Sequence, residues 1–256
     1  MKKVCQVMFS TNRVDYLNRT LSSIESNLSY EGLDVHKVFI DDYPMGRDDT
    51  EIIDIASRYG FTEILLHYKN LGITSTWDEF FSLIKDRDYD YIFHHEDDVE
   101  LTQKIKLLDM IELLDDNKNL YQVQLKRNNW YPHESNKKYE VNESDIKYRN
   151  FFYEKQTTYF WMLFSVYPKW ISNIDYKKES GWCPSESVIT WVLNKQQNMS
   201  GAILKAQDGG ILVNHFGETS KGKRVNENEP GWESFKGFKA DKLYYSRNGQ
   251  EIEGQE

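Results

Sequence analysis

Apolar residues over the first 120 positions follow two alternating rhythms. A short run of Val4, Val7, Met8 and Phe9 stops at Ser10-Thr11-Asn12, and then Val14, Leu17, Leu21, Ile24 and Leu28 recur at steps of three and four. The first rhythm predicts a buried strand, the second an amphipathic helix. The pair repeats. Lys37-Val38-Phe39-Ile40 reads as a strand closed by Asp41-Asp42. Asp48 or Asp49 then caps a helix carrying Ile52, Ile55, Ala56 and Tyr59, which Gly60 stops. Residues 63–68 form a third strand, and Asn70-Leu71-Gly72 a turn. Ser75 and Asp78 form a capping box for a helix through Trp77, Phe80, Phe81 and Ile84. Tyr91-Ile92-Phe93 begins a fourth strand, after which Thr102 caps a helix with Ile105, Leu108, Ile111 and Leu114.

Four strand–helix repeats predict an α/β fold with a largely parallel sheet and helices on both faces. Ligands collect at the carboxyl ends of such strands. Three of these ends are polar: Ser10-Thr11-Asn12, Asp41-Asp42 and Glu96-Asp97-Asp98. The second half is less regular. Residues 126–156 read as a long polar and aromatic excursion, and residues 157–166 as a buried strand. Pro168 starts a short helix, and SESVITWVLNKQ forms another. Short strands, Ile203–Ala206 and Ile211–Val213, flank an Asp208-Gly209-Gly210 turn. The chain is expected to divide into a ligand-binding half (1–120), a second half of the same domain (121–247) and a disordered tail (248–256).

Composition narrows the function. A chain of 256 residues, 39% hydrophobic, can bury a full core, and its formal charge of −9 argues against general nucleic-acid binding. Cys5 and Cys183 sit in no CxxC or Cys/His cluster, which speaks against a zinc site or a disulfide framework. The N-terminal stretch reads as a strand, and no run has the roughly 20 apolar residues of a membrane span, so the expected compartment is the cytoplasm.

The acidic triplet is the sharpest feature. Glu96, Asp97 and Asp98 follow directly on an apolar strand, where adjacent like charges repel and are costly to desolvate. A positive partner is required. His94 and His95, just before it, point to opposite faces of the strand and read as structural.

Strand, Asp-Asp, helix, strand, Asn-x-Gly, helix, apolar strand, acidic triplet: this order resembles the nucleotide-sugar half of a GT-A glycosyltransferase of the family 2 kind over residues 4–101. The Glu-Asp-Asp spelling is similar to that of N-acetylglucosaminyltransferase-type members, as their form of Asp-x-Asp. The resemblance implies a mixed, mostly parallel GT-A sheet, a nucleoside-diphosphate sugar donor, a glycan or other hydroxyl acceptor, and Mn2+ or Mg2+. It assigns Asp98 to the metal and Glu96 to the ribose, and leaves Asp97 open. Asp42, with Asp41, would read base or ribose; Ser10, Thr11, Asn12 and Arg13 would flank the base; Asn70, Gly72 and Trp77 would line the pocket, although Trp77 also suits a core position. The physics concurs, because a divalent ion with oxygen ligands bridges a diphosphate to a carboxylate.

In the second half the resemblance makes His215 a further metal ligand, and Lys221, Lys223 and Arg224 a basic lid over the diphosphate; an ordinary solvated loop is the alternative. Glu186, at a helix start, is the candidate general base of an inverting transfer, with Asp208 and Glu218 as substitutes. Two other functions fit the same fold: a nucleotidyltransferase that makes sugar nucleotides, and a non-catalytic carbohydrate-binding protein. The first calls for a glycine-rich loop after strand one, where this chain has STNRVDYLN.

Overall fold

The computed structural model describes residues 1–11, 13–42, 49–67, 71–128, 141–156, 164–181, 184, 186–193, 197–216, 244–247 and 250–253. The chain begins with β1 (Lys2–Ser10), α1 (Val14–Asn27), the two-residue β2 (Leu28–Ser29), β3 (Leu33–Asp41), α2 (Thr50–Arg58), β4 (Glu63–Leu66) and α3 (Ile73–Ile84). Next come β5 (Tyr91–Glu96), β6 (Val99–Leu101), β7 (Ile105–Lys106), α4 (Leu107–Asp116) and β8 (Leu120–Leu125). The second half adds β9 (Val141–Tyr148), β10 (Phe151–Gln156), β11 (Phe164–Pro168), a 3-10 helix (Lys169–Asn173), α5 (Tyr176–Ser180), α6 (Glu186–Trp191), β12 (Ser200–Lys205) and β13 (Val213–His215). Two further strands, Tyr244–Arg247 and Gln250–Glu253, pair antiparallel across the expected boundary at residue 248.

Nine strands form one sheet in the order β4-β3-β1-β5-β11-β8-β12-β10-β9. The strands β4, β3, β1 and β5 are parallel neighbours, β11 runs antiparallel to β5 and β8, and β10 runs antiparallel to β12 and β9. Since β8 and β12 are parallel, only β10 and β11 oppose the other strands, which matches the mixed, mostly parallel expectation. Alternation along β5 divides the core. Phe93 packs with Phe164, Val123 and the α4 leucines on one face, while Ile92 packs with Phe9, Trp77, Phe80 and Tyr167 on the other. Covering both faces makes β1 a continuous buried run from Val4 to Ser10 rather than an alternating one.

Several expected boundaries move. Helix α3 starts at Ile73 after Gly72, whose φ of +79° only glycine adopts without strain, so Ser75 lies buried inside the helix and the capping box is absent. Helix α4 starts at Leu107, because Ile105–Lys106 instead pair with Leu28–Ser29. Thr102 donates to Ile211 O at 3.0 Å and caps nothing. Part of the expected 126–156 excursion is ordered: β9 and β10 form a hairpin at the sheet edge, turning through Arg149 with φ of 53°. Strand β8 was not anticipated, and β12 and β13 enter different sheets instead of forming a hairpin. No helix among the described residues is long and apolar enough to cross a membrane.

Candidate functional site

The register of the parallel strands brings the site together. Ser10 ends β1 beside Asp41 at the end of β3, and Phe9 pairs with Glu96 at the end of β5. The chain turns at Asp97–Asp98 and leaves along β6, which pairs with β13 so that His215 lies opposite Val99. Thr20 of α1 pins the turn: its hydroxyl donates to Asp97 O at 2.8 Å and accepts from Val99 N at 3.1 Å.

Arg13 is the positive partner that the triplet requires. Its Nε lies 3.2 Å from Asp97 Oδ2, its Nη2 bonds Asp97 Oδ1, and its Nη1 donates to Asp98 Oδ2 at 3.0 Å. Ser10 Oγ donates to Asp97 Oδ2 at 2.9 Å, and Thr11 N adds a longer contact of 3.4 Å. The Asp97 carboxylate is therefore turned to the β1–α1 loop. Complete burial pushes its pKa up, opposed by Arg13 and reinforced by Asp98. Burial would raise Asp98 too, but the bond to His215 and the charge of Arg13 outweigh it and hold that carboxyl below the usual range.

His215 Nε2 stands 3.3 Å from Asp98 Oδ1. Asn128 fixes the backbone there, accepting from His215 N at 2.7 Å and donating to His215 O at 3.2 Å, while Phe216 N donates to Asp98 O at 3.0 Å. Glu96, Asp98 and His215 each present a donor atom, all within 4.8 Å of one another. Two carboxylates and one imidazole converging at that separation fit a single divalent ion. Glu96, expected at the ribose, thus joins the ligand cluster.

A second cluster lies at the neighbouring strand ends, linked to the first by Asp42 N donating to Ser10 O at 2.8 Å. Asp42 is buried. Its Oδ1 accepts from Leu71 N at 2.6 Å and faces His67 Nδ1 at 2.8 Å; its Oδ2 accepts from Gly72 N at 2.7 Å. The other ring nitrogen of His67 faces Glu79. Among the described residues, the bonds of Asp42 go to His67 and to the stretch before α3.

Trp77 is fully buried and packs against Phe9 at 4.9 Å and His94 at 4.7 Å, the core placement that its position in the sequence also allowed. Asp208, a substitute candidate for the general base, sits exposed on the turn after β12, its carboxylate accepting from Gly210 N at 2.8 Å. Asp41 is wholly buried at the end of β3. Glu186 is the first residue of α6, and its side chain lies outside the description. Asn12, Asn70, Glu218, Lys221, Lys223 and Arg224 lie outside the described residues.

Both histidines before the triplet are structural and face opposite ways. His94 packs on Phe9 and Trp77, and His95 on Phe93 and Phe164. Tyr30 donates to Gln6 Oε1 at 2.8 Å, leaving the Gln6 amide nitrogen to donate to His95 Nε2 at 2.8 Å. Burial and the neighbouring His94 push His95 down to about 3, so its ring is neutral. Sequence reasoning missed Thr20, His67, Glu79 and Asn128. Each acts through a partner distant in sequence, and none sits in a motif.

Comparison with known proteins agrees with this architecture. A sequence model described as Glycosyl transferase family 2 matches residues 6–172, more than half of the chain. No curated protein matches the sequence. Among solved structures, S. aureus TarS residues 1–349 superposes with a TM-score of 0.52 at 14% identity, over 84% of this chain and 60% of that one. GalNAc-T7 crystallised with UDP, GalNAc and Mn2+ gives a TM-score of 0.53 at 11% identity, over 84% of this chain and 44% of that one. This chain therefore spans 60% or less of the length of either structure. At such identities the likeness concerns the GT-A fold alone.

Proposed function

This chain belongs to glycosyl transferase family 2, and on that premise we propose that it moves a sugar from a nucleoside-diphosphate sugar to a hydroxyl of a glycan acceptor, with a divalent ion and inversion at the anomeric carbon. The observation that carries the metal-dependent part is the convergence of Glu96, Asp98 and His215, from two strands and the turn between β5 and β6, within 4.8 Å. These three residues would hold Mn2+ or Mg2+, and the one imidazole among them suits the former better. When bound, the ion offsets charge growing on the departing nucleoside diphosphate.

The chain's own residues orient and neutralise. Asp97 locks Arg13 and Ser10, which shapes the loop of Ser10, Thr11, Asn12 and Arg13 beside the nucleoside. Asp41 and Asp42 sit at the next strand end, where Asp42 shapes the Leu71–Gly72 backbone and the two carboxylates read base or ribose. Asn70 and Gly72 complete that wall. Lys221, Lys223 and Arg224 cover the diphosphate. Glu186 accepts the proton of the acceptor hydroxyl as its oxygen bonds the anomeric carbon and the sugar–phosphate bond breaks, its electron pair leaving with the phosphate. Asp208 and Glu218 are the substitutes for that role.

The test is thermal stabilisation by uridine and guanosine diphosphates, each with and without Mn2+, followed by transfer assays on the stabilising nucleotide's sugars. Stabilisation by a diphosphate only with Mn2+ supports the proposal. No stabilisation by either pair overturns the metal-bridged donor site.

A further inference from the structure

His67 follows directly on β4, and its ring has no exposure to solvent. Its Nδ1 faces Asp42 Oδ1 at 2.8 Å, and its Nε2 faces Glu79 Oε2, from the second turn of α3. Both carboxylates are themselves largely enclosed, with side-chain exposures of 7% and 11%. A neutral imidazole has one N–H and one bare nitrogen, so it can donate to only one of two ionised carboxylates and would aim a lone pair at the other. The doubly protonated ring satisfies both.

The contacts continue into the backbone. His67 N donates to Asp41 O at 3.0 Å, which seats the residue against the end of β3. Asp42 holds the N–H groups of Leu71 and Gly72, the last two residues before α3. Gly72 stands at φ +79° and ψ 159°, a conformation open to glycine and strained for other residues. Glu79 belongs to the same helix that Gly72 introduces, so strand end, loop and helix are tied through one ring.

We propose that His67 is a positioning residue of the donor pocket: a buried imidazolium that clamps Asp42 between β4 and α3 and, through Asp42, fixes the Leu71–Gly72 backbone. This rests on the assignment of Asp42 and Gly72 to the donor pocket made above. Burial alone would lower the pKa of the ring, but the hydrogen bonds and charges of Asp42 and Glu79 outweigh it and push His67 up to about 9. The acidic groups facing the ring are Asp42 after β3 and Glu79 on α3, with Asp41 buried at the same strand end.

The test uses the full 15N-labelled chain. Ring-nitrogen NMR should show His67 doubly protonated at pH 7.5 and titrating near 9. In His67→Gln, whose amide can serve only one carboxylate as donor, the Leu71 and Gly72 amides should exchange at least tenfold faster, with β1 and β5 protection unchanged. Affinity for uridine or guanosine diphosphate with Mn2+ should fall about tenfold. If His67→Gln fails to fold, Glu79→Gln serves, with a ring pKa moved toward 6.5 and the same amide response. A neutral ring at pH 7.5, or unchanged exchange at Leu71 and Gly72, overturns the proposal. If neither nucleotide binds the unaltered chain, the donor-pocket assignment falls, while the ring and amide measurements still decide the role of His67 as a clamp.

Discussion

Two acidic clusters share one edge of the sheet, and their cations differ. His67 closes the Asp42–Glu79 cluster with a ring that solvent does not touch. Arg13 closes the Asp97–Asp98 cluster with a side chain 34% exposed, leaning on Tyr16 with the guanidinium 5.0 Å from the ring centroid. A cation sealed between two carboxylates is a fixed part of the fold. One reached from solvent can give way to another positive group that arrives with a ligand. The same electrostatic need, neutralising carboxylates at strand ends, is met by a sealed strut at one strand end and by a partly exposed guanidinium at the other.

The largest effect expected is on activity. Asp98→Ala should reduce sugar transfer about 10³-fold, on the scale seen when a group aimed at transition-state charge is lost, while the circular-dichroism spectrum is unchanged. Asp42→Asn, on the strut side, should leave transfer within about tenfold, as it keeps one acceptor oxygen for the Leu71–Gly72 amides. Equal losses at both positions would erase the distinction between the clusters.

The next effect separates them by stability. Arg13→Met leaves Asp97 and Asp98 facing each other without their guanidinium and should lower the unfolding free energy by about 3 kcal/mol in the absence of divalent ions. Mn2+ should restore part of this in urea denaturation, because it neutralises Asp98, one of the two carboxylates that Arg13 bonds. His67→Gln should cost about 2 kcal/mol, and Mn2+ should not restore it.

pH sharpens the contrast. The folded-state pKa of His67, about 9, lies above the ordinary value of 6.5. Its contribution is complete below the unfolded-state value and disappears as pH rises through about 9, amounting to about 3 kcal/mol at most. Urea unfolding at pH 6 and pH 10 should show this loss in the unaltered chain and much less of it in His67→Gln. The smallest effect belongs to Gly72→Ala. Among the described residues no atom lies within 4 Å of an added Cβ, so the positive φ is what is at stake, and unfolding free energy should fall by about 1 kcal/mol.

The two halves were unequally legible in the sequence. In the first half β1 and β5 are buried on both faces, the end of β3 is a continuous buried run, and α1 keeps one apolar stripe, so period locates them. Strand β8 spells LYQVQL, and its glutamines look solvent-facing; Gln122 is buried because its amide donates to Ser165 Oγ at 2.8 Å on β11, a partner 43 residues away. The β9–β10 hairpin is diluted by Asn, Glu, Asp and Lys that an edge strand carries without penalty. At the site, Asp98 and His215 could be named from motif order, but their meeting depends on β6 pairing with β13, a two-strand ladder too short to leave a pattern. Arg13 was placed beside the base because chain position gives no direction for a side chain; only the fold turns it onto Asp97.

Titration of Mn2+ into the full chain by electron paramagnetic resonance, with uridine or guanosine diphosphate present, addresses the ion-binding cluster most directly. One saturable Mn2+ per chain is expected, absent in Asp98→Ala, weakened in His215→Ala and tightened in Arg13→Met. Absence of saturable Mn2+ with either nucleotide, or a site that survives Asp98→Ala unchanged, would contradict a metal held by Glu96, Asp98 and His215.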